Sequence, residues 1–165
     1  MKKIICSMAV AVSILSSGAH AAGYGVVDLE KVVESSSFLK QQNAALQQSL
    51  KPQSTKLEQL GKELEAMQQK AQQSTSLSEA DKQKMSAQYQ SKMKEFNTIQ
   101  QSVQTTVQSS IQSTNKLMDG RIKQAAEQLR KENTLDFILN KNSALAYDAK
   151  YDLTDKMIQR VNAIK

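Results

Sequence analysis

The side chains with the sharpest chemistry are the scarcest in this chain. There is one cysteine, Cys6, one histidine, His20, and no tryptophan. Both reactive residues lie in a segment organised like an export signal. Lys2 and Lys3 open it, Ile4 to Leu15 form an apolar stretch, and Ala19-His20-Ala21 fits an A-x-A cleavage pattern. The apolar stretch is too short to span a bilayer, and Cys6 lies too early to be a lipoprotein cleavage point. Residues 1–21 are therefore expected to be a signal peptide, with an exported chain starting at Ala22 or Gly23. Such a chain has no thiol and no imidazole. That excludes Cys-His and Ser-His-Asp nucleophilic mechanisms and a zinc site built from His or Cys. Carboxylate pairs such as Glu63/Glu65 and Asp152/Asp155 remain, but they read as solvated charges or helix caps. No calcium-loop spacing and no phosphate-cradling glycine loop is present. No catalytic residue, no metal and no cofactor is expected.

Charge narrows the partners. The chain carries 22 basic and 16 acidic residues. Without Lys2 and Lys3 the balance is 20 against 16, or +4. A mild surplus of this kind favours acidic partners or anionic lipid head groups. It is too thin, and too poorly clustered, for nucleic acid.

The elements that carry these residues are mostly helical. Stepping from Leu39 alternately by four and three reaches Asn43, Leu46, Leu50, Gln53, Leu57, Leu60, Leu64, Met67, Ala71 and Ser74. Eight of these eleven positions are apolar, which makes a heptad seam. Pro52 predicts a kink near Lys51, and Gly61 is a second weak point. Ser74-Thr75-Ser76-Leu77-Ser78 breaks the seam. Ser78, followed by Glu79 and Asp81, opens a second helix. The chain is expected to turn back here, at the tip of a helical hairpin. On the returning helix Met85, Phe96, Val107, Met118 and Leu129 recur every eleven residues, a period of 3.67 per turn against 3.5 for the first arm. Mismatched periods predict a loosely wound pair, and each arm should extend roughly 60–75 Å. Within the second arm, Phe96 to Asn115 contains no charged residue.

The chain ends read differently. Tyr24 to Val27, Leu135 to Leu139 and Ala144 to Ala149 are strand candidates, the last two joined by a turn-like Asn140-Lys141-Asn142-Ser143. Leu135, Phe137 and Leu139 would share one face. Asp152-Leu153-Thr154-Asp155 opens a closing helix with Leu153, Met157, Ile158, Val161 and Ile164 on its apolar side. The predicted class is mainly α with a small β part, a long helical hairpin inserted between the strands of a small sheet. Residues 22–38 and 134–165 form the body, and 39–133 the hairpin, with its tip near 74–78. So few strands bury too little area to stand alone. Joining several chains would cover their edges, with Val26, Val27, Leu135, Phe137, Leu139 and Tyr147 in the shared body.

At these residues the chain resembles a known family. Tyr24 to Ser36 (YGVVDLEKVVESS) and Leu135 to Asn162, with its LDFIL strand, Ala146-Tyr147 pair and Asp-Leu-Thr helix opening, look like the two ends of Skp/OmpH proteins. Those are bacterial periplasmic chaperones for outer-membrane proteins. The resemblance covers the whole processed chain in arrangement and about forty residues in motif. It implies a homotrimeric β-body with helical tentacles around a cavity, a periplasmic location and no enzymatic activity. The cavity holds unfolded outer-membrane protein without ATP until membrane assembly. Family members also show basic tentacles and, in some cases, a lipopolysaccharide site. Here Lys62 to Glu95 has six Lys against five acids, and no cluster matches such a site. Contact with lipopolysaccharide stays an expectation of the resemblance alone, and contact with anionic lipid one of the charge surplus. The residues expected to meet clients are Met67, Met85, Met93 and Phe96, with flexible or aromatic apolar side chains, and the nearby Lys82, Lys84, Lys92 and Lys94. The competing reading is a structural or adhesive coiled-coil spacer of the cell envelope, which predicts one continuous, well-filled zipper.

Overall fold

A computed structural model describes residues 23–73 and 78–165. The proposed signal peptide, with Cys6 and His20, and most of the expected hairpin tip lie outside the described residues. Strand β1 (Tyr24–Val27) leads into a short helix α1 (Leu29–Glu34) and two long helices, α2 (Ser37–Gln73) and α3 (Glu79–Glu132). Strand β2 (Phe137–Asn140), two 3₁₀ turns (Lys141–Ser143 and Ala149–Tyr151) and helix α4 (Thr154–Ala163) complete the chain. At 1.5 Å per residue α2 is about 55 Å long and α3 about 80 Å. Helix α2 runs on through Pro52 without interruption.

Capping chemistry sets the helix ends. Asp28 accepts the Lys31 amide at 3.1 Å and starts α1, a six-residue helix that the heptad and strand patterns do not reveal. Ser36 accepts the Leu39 amide at 3.2 Å at the start of α2. Ser78 accepts the Asp81 amide at 3.2 Å and opens α3, as its residue type and the acids behind it indicate. At the other end of α3, Thr134 adopts φ 52°. The Leu135 and Thr134 amides bond back to the Arg130 and Lys131 carbonyls at 2.9 and 3.2 Å. That is a Schellman ending, with a threonine where glycine is usual.

Among the described residues the sheet has two strands, not three. β1 and β2 are parallel, with Tyr24 opposite Phe137 and Val27 opposite Asn140. The other edge of β1 is closed by Asp152, which bridges Val26, and by the Leu153 amide, which donates to the Val26 carbonyl at 2.8 Å. Ala144 to Ala149 forms no strand, contrary to its apolar, strand-like composition. Asn140 and Asp148 each accept an amide two residues ahead, at 3.4 and 3.1 Å. The Asn140 bond supports the turn at Lys141–Ser143, whereas the Asp148 bond turns the chain into Ala149–Tyr151, at the end of the expected strand. β2 also starts at Phe137 rather than Leu135, because Leu135 is held by the helix ending. Gly25 allows the close approach of its neighbours: a Cβ there would lie 2.5 Å from Leu153 and 3.1 Å from Leu135.

One core holds these pieces. Val27, Val32, Phe38, Met118, Ala125, Leu129, Leu153, Met157 and Val161 are buried together. Three of them come from the last turns of α3, so the body reaches well into the helix assigned to the hairpin by sequence. Arg121 lies over the Phe38 ring at 4.1 Å and donates to the Ile164 carbonyl, tying down the end of α4. The expected Asp152–Asp155 capping box is split between two tasks. Asp152 accepts the Thr154 amide at 2.8 Å, while Asp155 pairs with Lys31 at 2.9 Å.

Candidate functional site

Beyond this core, α2 and α3 continue as a paired arm with thin packing. Its seam buries Leu60 and Leu64 and leaves most other seam positions half-buried. The eleven-residue stripe behaves as its period indicates: Met85, Phe96 and Val107 are half-buried, and Met118 and Leu129 enter the body core. Polar contacts supplement the seam beside Leu60 and Leu64. Lys92 pairs with Glu63, Lys56 with Glu95 at 3.2 Å, and the Gln68 amide donates to the Tyr89 hydroxyl at 2.9 Å. Lys92, then Gln59, hold the Glu63 carboxyl below its ordinary range.

Toward the tip the helices leave a groove of about 480 Å³ lined by Met67, Ala71, Met85, Tyr89 and Lys82. A second hollow of about 410 Å³ starts at Tyr89 and takes in Met93 and Lys94. A third, of about 550 Å³, continues from Thr98 and Gln101 to Ser109. The structure thus gathers Met67, Met85 and Lys82 at one groove and Met93 and Lys94 at the next. Phe96 and Lys84 line neither. The four lysines are not equivalent. Lys92 and Lys82 are engaged, the latter by Glu79 at 2.7 Å, while Lys84 and Lys94 have no carboxylate within ion-pair distance among the described residues. Tyr89 links the first two hollows and was not singled out by sequence, because no periodic or charge signal marks it.

The body presents a second surface. Tyr24 stacks between Phe137, at 6.2 Å, and Tyr151, at 4.5 Å. Along β2, Ile138 packs on the core while Phe137 and Leu139 stay 42% and 37% exposed. The outer edge of β2 pairs with no strand among the described residues. Leu145 is fully exposed. The remaining body residues expected at a chain–chain contact sit elsewhere. Val26 and Val27 are buried within this chain, Leu135 is half-buried against the core, and Tyr147 is half-buried with its hydroxyl 3.3 Å from Asp152. Burial, then the Asp152 charge, push the Tyr147 phenol up. Asp28 is held low by the Lys31 amide and by Lys141, which lies 3.1 Å away.

The described residues contain no group of three or more His, Cys, Asp or Glu placed to hold a metal ion, and no helix long and apolar enough to cross a membrane. A family profile described as Outer membrane protein (OmpH-like) matches residues 23–161. Among solved structures, the chain is similar to a crystal structure of a candidate OmpH-like outer membrane chaperone from Caulobacter crescentus CB15. The TM-score is 0.63 at 18% identity, over 88% of this chain and 87% of that one. No curated relative matches.

Proposed function

The chain belongs to the OmpH-like outer membrane protein family, and from that premise we propose that it is a periplasmic holdase chaperone. It binds unfolded outer-membrane proteins between helical arms, without nucleotide, and keeps them from aggregating before membrane assembly. The observation that carries this reading is the division of the molecule. A packed body exposes an apolar strand beside an open edge, and a long arm offers shallow grooves rather than a filled seam. Many weak contacts held close together act jointly through effective concentration, and holding the unfolded client lowers its free concentration.

In this reading three copies join through the β2 edge, so that Phe137 and Leu139 become buried and the arms enclose a cavity. A continuous spacer would fill its seam; the half-buried seam and open grooves favour the holdase. The test dilutes a denatured outer-membrane β-barrel into buffer with the processed protein and follows light scattering. Suppression near one trimer per client supports the holdase, and no change at several-fold excess favours the spacer. Phe137→Asp should bring the sedimenting mass down from three chains to one, because it places a charge in the shared apolar face. A trimer that survives this substitution removes Phe137 from the contact.

A further inference from the structure

Between Gly23 and Lys165 the chain has no cysteine, so its only sulfur atoms belong to five methionines, Met67, Met85, Met93, Met118 and Met157. The fold sorts them into two kinds. Met118 and Met157 lie in the body core at 5% and 1% exposure, and the Met118 sulfur accepts the Ser36 hydroxyl at 3.8 Å. Met67, Met85 and Met93 are half-buried on the arm. These three differ again in what surrounds them. Met67 of α2 and Met85 of α3 line one groove, one from each helix, together with Ala71 and Tyr89. Met93 lines a hollow bounded by α3 residues alone. Toward the tip, Leu64 is the last buried residue of the seam among the described residues. Beyond it, across 65–73 and 79–89, the only apolar or aromatic side chains larger than alanine are Met67, Met85 and Tyr89.

We propose that Met67 and Met85 form an oxidation-sensitive latch at the outer end of the arm, a site of reversible methionine sulfoxide formation by peroxides. The latch acts through packing between α2 and α3 and does not depend on the holdase reading. A sulfur lone pair attacks one oxygen of hydrogen peroxide. The S–O bond forms as the O–O bond breaks, and the departing oxygen takes up a proton and leaves as water. Sulfur gives two electrons to the peroxide. Attack needs access to the sulfur, which the half-buried thioethers of the arm allow and the body core denies to Met118 and Met157. The product is polar and chiral where the thioether was apolar and flexible. Two of the three large side chains closing this end of the arm then favour water over each other. The remaining tie, from the Gln68 amide to the Tyr89 hydroxyl at 2.9 Å, is exposed and exchanges readily for bonds to water. The helices should therefore part from the tip as far as Leu64. Methionine sulfoxide reductases, one for each sulfoxide epimer, reverse the change. A groove at the end of an arm admits them.

The test treats the full processed protein with hydrogen peroxide. It follows oxidation at each methionine by peptide mass and amide exchange along α2 and α3. Met67 and Met85 should oxidise at least about tenfold faster than Met118 and Met157 in the folded protein, and all five should react alike in urea. Amides of residues 67–71 and 85–89 should lose protection by about fivefold to tenfold. Treatment with both reductases should restore it. Met67→Gln with Met85→Gln should reproduce the loss without peroxide, whereas Met93→Gln, which changes a thioether that faces no α2 residue in its hollow, should not. Met67→Leu with Met85→Leu should keep the helices together under peroxide, which separates loss of the latch from a general effect of the oxidant. Five methionines reacting alike in the folded protein overturn the latch. So does an oxidised arm as well protected as the native one, or an equal loss from Met93→Gln. An arm that both reductases fail to close again overturns its reversibility and makes the sulfoxides a lesion.

Discussion

In the body, Leu129 of α3 belongs to a buried cluster that also draws residues from β1, α1, α2 and α4, while in the arm Leu60 of α2 is covered by the facing helix. Both leucines are almost completely buried. They differ in what would happen around them. Eight other buried residues, from β1, α1, α2, α3 and the α4 end of the chain, share the cluster of Leu129. Near Leu60, only Leu64 is comparably buried, and ion pairs such as Lys56–Glu95 tie the helices at the surface. Exposed pairs of that kind contribute little. The same two helices therefore pass from a region held by packing to one held by helix propensity and a short seam. A chaperone of the kind proposed needs that gradient, because a site whose apolar residues are already satisfied by neighbours has nothing to offer a client.

One substitution made in both regions tests this contrast most strongly. Leu129→Ala should cost about 3–4 kcal/mol, as for other large-to-small changes in a filled core, and should lower the main thermal transition. Leu60→Ala removes the same atoms but leaves a site that can collapse or hydrate. Its cost should sit near about 2 kcal/mol and appear as faster amide exchange in α2 and α3 near the tip, with the main transition nearly unmoved. Equal shifts of the main transition would mean that arm and body unfold as one unit.

How far the sequence discloses these regions follows the same division. The long helices, the Ser78 start and the apolar stripe ending at Leu129 are legible because each rests on local periodicity or a local cap. The paired termini are legible as a body through their strand-like runs and family motif. The parallel pairing of β1 and β2 is not, since alternation says which face a residue takes and nothing about its partner. Ala144 to Ala149 misleads differently: it is an apolar run of strand-like composition, but Asp148 turns the backbone at its end. Helix α1 is too short to show a period. In the arm, Met67, Met85 and Lys82 are legible as candidates by type. Their meeting with Tyr89, and the Lys92–Glu63 pair 29 positions apart, depend on hairpin register. Neither the heptad spacing nor the eleven-residue spacing specifies that register.

A smaller effect sharpens the comparison through glycine. Gly61 in α2 and Gly120 in α3 both sit in helix interiors where an added Cβ meets no atom within 4 Å. Each change to alanine should stabilise its helix by about 0.5–1 kcal/mol, mainly by restricting the unfolded chain. Gly120 is close in sequence to the core residue Met118, so Gly120→Ala should raise the main transition. Gly61→Ala should instead slow amide exchange near Leu60 and leave the main transition in place. A main transition that rises by the same amount in both variants would again join the two regions.

Acid should separate the regions by the smallest margin. Glu63 and Glu58 in the arm are held low by Lys92 and Lys62, and Asp28, Asp152 and Glu127 in the body by Lys31, Thr154 and Arg130 respectively. Glu127 falls from an ordinary 4.5 to about 2. A carboxyl lowered in the folded state contributes stability above its unfolded value and loses that contribution as pH falls through its folded value. Every one of these groups therefore weakens the fold on acidification, and none strengthens it. The body retains its apolar core through that window, whereas the arm loses the Glu63–Lys92 tie with little packing behind it. Amide protection, with the intrinsic slowing of exchange toward acid divided out, should thus fall first around Leu60, Leu64 and Tyr89 between pH 7 and pH 3. Glu63→Gln should expose the same amides at pH 7 and flatten their further response to acid. If the amides of Val27, Val32 and Met157 open before those of the arm, the ion pairs rather than the core hold the body, and the contrast between the two regions is reversed.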